Sequence, residues 1–269
     1  MTENRVELMR ALFPDLADRV DAAYAAFAGE RPEAAFDDWV DARAAEVLPS
    51  AARLSIEDAA VAERFDRAFA SAHVVAELLG VPAPEIEAFA EAGVDLEQLA
   101  AGLASDPTLV PVAAPHGLGS AVWHEAFEAF GGPALLVADE AEREFEALDA
   151  ASLTGVPFVA LSDRLGGAGG AVHWTLRLVP SGDGPPLLGL SFAQGPHVTL
   201  PEMLMLQLSR VSAGEPPVDA TSFTWLAGAL AQGRLAARHV YDAAEDTVRI
   251  TCREVVSQGP HLGARPPIG

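Results

Sequence analysis

The sequence has 269 residues, with 39 acidic against 17 basic side chains and a net charge of −22. Every basic residue is arginine, and the lack of lysine excludes a P-loop, a lysine Schiff base and a Ser–Lys dyad. A chain this acidic is a poor partner for nucleic acid held by its phosphates, and a lone cysteine, Cys252, excludes an internal disulfide and a multi-cysteine zinc site.

The first stretch reads as helical. Residues 15–27 and 33–47 have helical apolar spacing. The clearest helix is expected over 56–79, with Ser55 as its N-cap and acids in its first turn. Val61, Phe65, Phe69, Ala72, Val75 and Leu79 fall on one face of it, which is expected to be buried. Gly80 and Pro82 end it. A short helical pair follows at 84–92 and 96–103, with Asp95 capping the second.

Composition changes near residue 106. Residues 1–105 hold 21 acids and 8 arginines, and residues 106–269 hold 18 acids, 9 arginines and nearly all the Gly-rich turns. An α+β organisation is expected, with a helical region at 1–105 and a mixed, mainly antiparallel α+β region at 106–269. Strands are expected at 109–113, 134–138 and 156–161, and helices at 121–130, 139–148 and 200–211. The turn Ser181-Gly-Asp-Gly184 predicts a hairpin between strands 172–179 and 187–192. Residues 223–230 are ambiguous. A second hairpin is expected from 238–242 and 247–255 around a four-residue loop, which pairs Val240 with Arg249 and Tyr241 with Val248.

Four constellations could carry chemistry. The turn from His116 to Ser120, between a strand and a helix, could offer backbone N–H groups to an anion. His116, His124, His173 and His197 share the second region, but their spacing gives no chelating pair, so no metal site is expected. Gly189-Leu-Ser191-Phe-Ala-Gln-Gly195 is similar to a nucleophile elbow, yet Gly195-Pro196 blocks the helix that an elbow needs. Strand alternation supplies the fourth. It sets Arg177 and His173 on one side of their strand, and Arg249 and Arg253, joined by Arg238, on one side of theirs, so that Arg177, Arg238, Arg249 and Arg253, with His173, are expected to line one sheet face. An arginine-bearing sheet face could hold a carboxylate, a phosphate or an acidic protein segment.

These residues point to a non-enzymatic protein-interaction or adaptor protein. The alternative is an enzyme or binding protein for a small anionic ligand. It would use Arg177, Arg238, Arg249 and Arg253, with His173 or His116 as the nearby histidine. No cofactor is expected. The expected partner is a protein or a small anion, with no nucleic acid and no membrane. No window approaches about 18 uncharged apolar residues, and the first ten residues do not read as a signal peptide, so a cytoplasmic location is expected.

Overall fold

The computed structural model describes Ile56 and residues 58–150, 155–162 and 171–269. The helices expected at 15–27 and 33–47, the Ser55 cap and the glycine loop at 166–170 lie outside the described residues. Contacts divide the chain into Met1–Ala51 and Ala52–Gly269, and every described residue falls in the second unit. That unit is α+β, and none of its described helices is long and apolar enough to cross a membrane.

Helix α1 runs Ala59–Leu79. Asp58 caps it, its Oδ1 accepting from the Ala60 N–H at 2.8 Å and the Val61 N–H at 3.3 Å, so the helix begins three residues later than its apolar spacing suggests. The face carrying Val61, Phe65, Phe69, Ala72, Val75 and Leu79 is buried as expected. Gly80 closes the helix in the left-handed conformation, φ +68°, which a side chain would resist. Helices α2, Ile86–Glu91, and α3, Leu96–Ser105, follow, and Asp95 caps α3 through the Gln98 N–H. Phe69 and Phe89 meet edge to face, 5.9 Å between centroids, which ties α2 to α1.

The remaining chain supplies β1, Leu109–His116; α4, Ser120–Phe130; β2, Ala134–Val137; α5, Asp139–Arg143; and α6, Phe145–Asp149. Then come β3, Val159–Ser162; β4, Ala171–Pro180; β5, Leu187–Leu188; and α7, Leu200–Ser212. It ends with β6, Phe223–Leu230; β7, Leu235–Asp242; β8, Thr247–Glu254; and β9, Leu262–Ala264. Glu144 leaves helical geometry at φ −117°, splitting the helix expected at 139–148 into α5 and α6.

Two sheets form. One has the order β1-β4-β3, and the other the order β2-β8-β7-β6-β9-β5. The β7–β8 hairpin has the expected register, Val240 opposite Arg249 and Tyr241 opposite Val248. The hairpin expected around 181–184 does not form. Strand β4 is flanked by β1 and β3, so its edges are taken, and β5 pairs with β9 in the other sheet. The ambiguous stretch 223–230 is strand β6.

Helix α7 is apolar around nearly its whole circumference, and its first nine residues, Leu200 to Leu208, are all buried. It touches α1, β1 of the first sheet and β6 of the second. One continuous apolar core joins α1–α4, both sheets and α7. The end of the chain is docked. Ile268 bridges Leu178, and the fully buried Arg265 is pinned by the carbonyls of Pro180 at 2.6 Å and Gly182 at 2.9 Å.

Candidate functional site

The two faces of the six-stranded sheet differ. One carries Leu135, Leu226, Ala237, Val248 and Ile250 into the main core. The other carries Leu136, Phe223, Trp225, Arg238, Arg249 and Arg253, because residues opposite each other in these registers share a face. Part of this outer face is covered. Phe192 lies against Trp225 at 5.9 Å, and the Trp225 indole N–H donates to the Leu190 carbonyl at 3.0 Å. The rest is open along β7, β8 and the edge strand β2, where Leu136 is 50% exposed.

On the open part, Arg249 is neutralised. It meets Asp242 at 3.2 Å and also pairs with Glu245. Arg238 opposes Thr251, and Arg253 stands one diagonal step away opposite Ala236. The Arg238 guanidinium lies 4.0 Å over the Phe223 ring, and its Nε donates to Thr251 Oγ1 at 3.0 Å. No carboxylate among the described residues pairs with Arg238 or Arg253. Burial, and then the charge of Arg253, hold Arg238 below the ordinary arginine value.

Arg177 does not belong to this face, which corrects the four-arginine grouping. It lies in the other sheet on β4, a strand buried on both sides for most of its length. There it makes a bidentate pair with Glu202 of α7, both bonds 2.6 Å, with Arg177 only 7% and Glu202 0% exposed. Burial pushes the Glu202 carboxyl up. Arg177 and the Thr199 N–H outweigh that and hold it below the usual glutamate value.

His116 and His173 also sit in that first sheet, opposite each other on β1 and β4, and not beside Arg238, Arg249 or Arg253. The His116 ring bonds to the Asp149 carbonyl at 2.9 Å and to Thr175 Oγ1 at 3.0 Å, so both its nitrogens are engaged. Burial lowers its pKa. His173 packs edge to face on Phe158, centroids 4.8 Å apart. The glycine turn after His116 does meet a carboxyl group, but an internal one, whose pKa burial raises. Asp149, 1% exposed, accepts from the Gly119 N–H at 2.9 Å. Gly119 stands at the N-cap of α4.

One constellation had no signal in the sequence. Arg265, Asp219, His239 and Gln207 are fully buried and hydrogen-bonded in series: Arg265 to Asp219 at 2.6 Å, Asp219 to His239 at 2.8 Å, His239 to Gln207 at 2.8 Å. An Asp–His pair can activate a nucleophile. Here the second ring nitrogen faces the Gln207 amide, which also donates to the Val218 carbonyl. No hydroxyl or thiol takes the nucleophile's place, so the series is a fully satisfied structural network. No protein-family model, curated protein or solved structure matches this chain. The functional reading therefore rests on geometry alone.

The remaining motifs resolve plainly. Ser191 caps a short 3-10 turn, Phe192–Gln194, and no helix begins there, so the elbow is not formed. Three metal-ligating side chains do not converge anywhere among the described residues. Cys252 is half-buried, and burial followed by the charges of Glu140 and Glu144 pushes its thiol up to about 11. A thiol reagent at pH 8 should modify it roughly a hundred-fold more slowly than free cysteine, because so little thiolate is present. Labelling at the free-thiol rate would show that β8 opens.

Proposed function

We propose that this chain is a protein-interaction module that docks an acidic segment of a partner protein on the open part of the outer sheet face. The observation that supports this is the pair Arg238 and Arg253, side by side and without a carboxylate partner among the described residues. Two guanidinium groups on one face suit alternate Asp or Glu side chains of an extended peptide. Phe223 beneath Arg238, and the exposed Leu136 opposite Arg249 further along the same face, supply apolar contact. The overall charge of −22 opposes an acidic partner at long range, but salt screens exposed charges beyond about 8 Å, so the local pair decides.

Fluorescence anisotropy with a labelled decaglutamate peptide tests this, with a decaglutamine peptide as control. Wild type should bind the glutamate peptide alone. Arg253→Glu should weaken binding more than about tenfold while the melting temperature stays unchanged, since Arg253 is exposed. Equal binding by Arg253→Glu, or equal binding of both peptides, would refute the reading.

A further inference from the structure

A cleft of about 540 Å³ lies between α1, β1 and α7, well away from the outer sheet face. Its volume is within the range of small-molecule sites, roughly 300–1,000 Å³. Its chemistry is divided. The floor is aliphatic: Ala72, Val112, Ala113 and Leu206 are all at most 5% exposed. The rim is cationic, with Arg64, Arg67 and Arg210 against the single carboxylate of Glu215. Three of the 17 arginines of a chain with net charge −22 therefore border one apolar cleft.

Two of these guanidinium groups are fixed in place. Arg64 donates to the carbonyls of Leu103 at 2.6 Å and Pro107 at 3.2 Å, and also to that of Leu109. Arg210 donates to Pro216 at 2.8 Å and to Ser181 at 3.1 Å, and pairs with Glu215 at 3.2 Å. Each spends only part of its five N–H groups this way. Among the described residues, Arg67 has an exposed contact with Glu63 at 4.0 Å. The Ser71 and Ser209 side-chain hydroxyls, one on α1 and one on α7, border the same space and have no hydrogen-bond partner among the described residues.

From this arrangement we infer that the cleft is a binding site for a small organic monocarboxylate with an apolar body. The carboxylate takes the remaining guanidinium N–H groups at the rim, and the serine hydroxyls are within the same cleft to complete its hydrogen bonding. The body covers the aliphatic floor. An inorganic polyanion would leave that floor bare and would face Glu215. This site is independent of the docking face and would stand or fall separately.

Ligand-observed saturation-transfer NMR on the whole chain tests it, with octanoate, octan-1-ol and inorganic phosphate as probes. Octanoate should bind saturably with Kd about 1 mM or tighter, and at least about tenfold more tightly than either other probe. Arg67→Glu reverses an exposed rim charge, and Ala68→Trp fills the cleft from α1. Each should weaken octanoate at least about tenfold with the far-UV circular dichroism unchanged. The inference is overturned by no saturable octanoate binding up to about 10 mM, by octan-1-ol or phosphate matching octanoate, or by both folded variants binding as wild type does.

Discussion

Replacing Arg265 by Met should lower the unfolding free energy by about 3–5 kcal/mol, the cost of removing one member of a buried ion pair. That is a large share of a typical total of roughly 5–15 kcal/mol. Arg265 is 0% exposed and bonds at once to Asp219, Thr224 Oγ1 and the carbonyls of Pro180 and Gly182. Its removal leaves the buried Asp219 carboxylate with His239 as its one charge-assisted partner, and it leaves two carbonyls short of a donor. It also frees the segment after β9, whose Ile268 pairs with Leu178. Chemical denaturation measures the loss. Arg265→Met with Asp219→Leu should recover part of it, since removing both charges avoids the uncompensated one. A loss under about 1 kcal/mol for Arg265→Met would mean that the network does not hold the tail.

Glu202→Gln should cost about 3 kcal/mol or more at neutral pH, because it leaves the Arg177 guanidinium buried against a neutral amide. The same pair sets an acid limit. The Glu202 and Asp219 carboxyls are both held below their ordinary values in the folded chain, burial being outweighed in each case by cationic and hydrogen-bonding partners. A depressed folded pKa gives stability that is full above the unfolded value, near 4, and is lost as pH falls through the folded value. His116 and His197 act in the same direction at higher pH. Burial lowers both, so each must charge on unfolding as pH drops below about 6.5. Stability should therefore decline in two stages on acidification, first below about pH 6.5 and then below about pH 4. Glu202→Gln should flatten the second stage and leave the first. An unchanged second stage in that variant would contradict the pairing.

Local features were legible in the sequence. The α1 face followed from apolar spacing, the end of α1 from Gly80, the α3 cap from Asp95, and the β7–β8 register from a four-residue loop between alternating strands. What strand alternation cannot convey is which sheet a strand joins. Arg177 and Arg249 show the same pattern in sequence, yet β4 is buried on both faces for most of its length, with α7 over Arg177, while β8 has an open outer face. The partner that decides the fate of Arg177, Glu202, lies 25 residues away on a helix. The glycine turn after His116 was readable as an anion holder, but the carboxyl of Asp149, 30 residues beyond Gly119, already occupies it. The Ser181–Gly184 turn was read as a hairpin because its composition fits one. The chain crosses there to the other sheet, and no turn residue records that. Trp225 is buried under Phe192 on the outer face rather than in the main core, a placement that its sequence neighbours do not convey. Arg238, Arg249 and Arg253 were grouped correctly because a single hairpin holds all three.

Hydrogen–deuterium exchange of the whole chain with and without the decaglutamate peptide tests the docking face most directly. The peptide should slow exchange across β7 and β8, Leu235–Asp242 and Thr247–Glu254, and at the edge strand β2, while α1 and the buried strand β4 stay unchanged. Protection confined to other elements, or no protection at peptide concentrations that saturate binding, would contradict docking at Arg238 and Arg253.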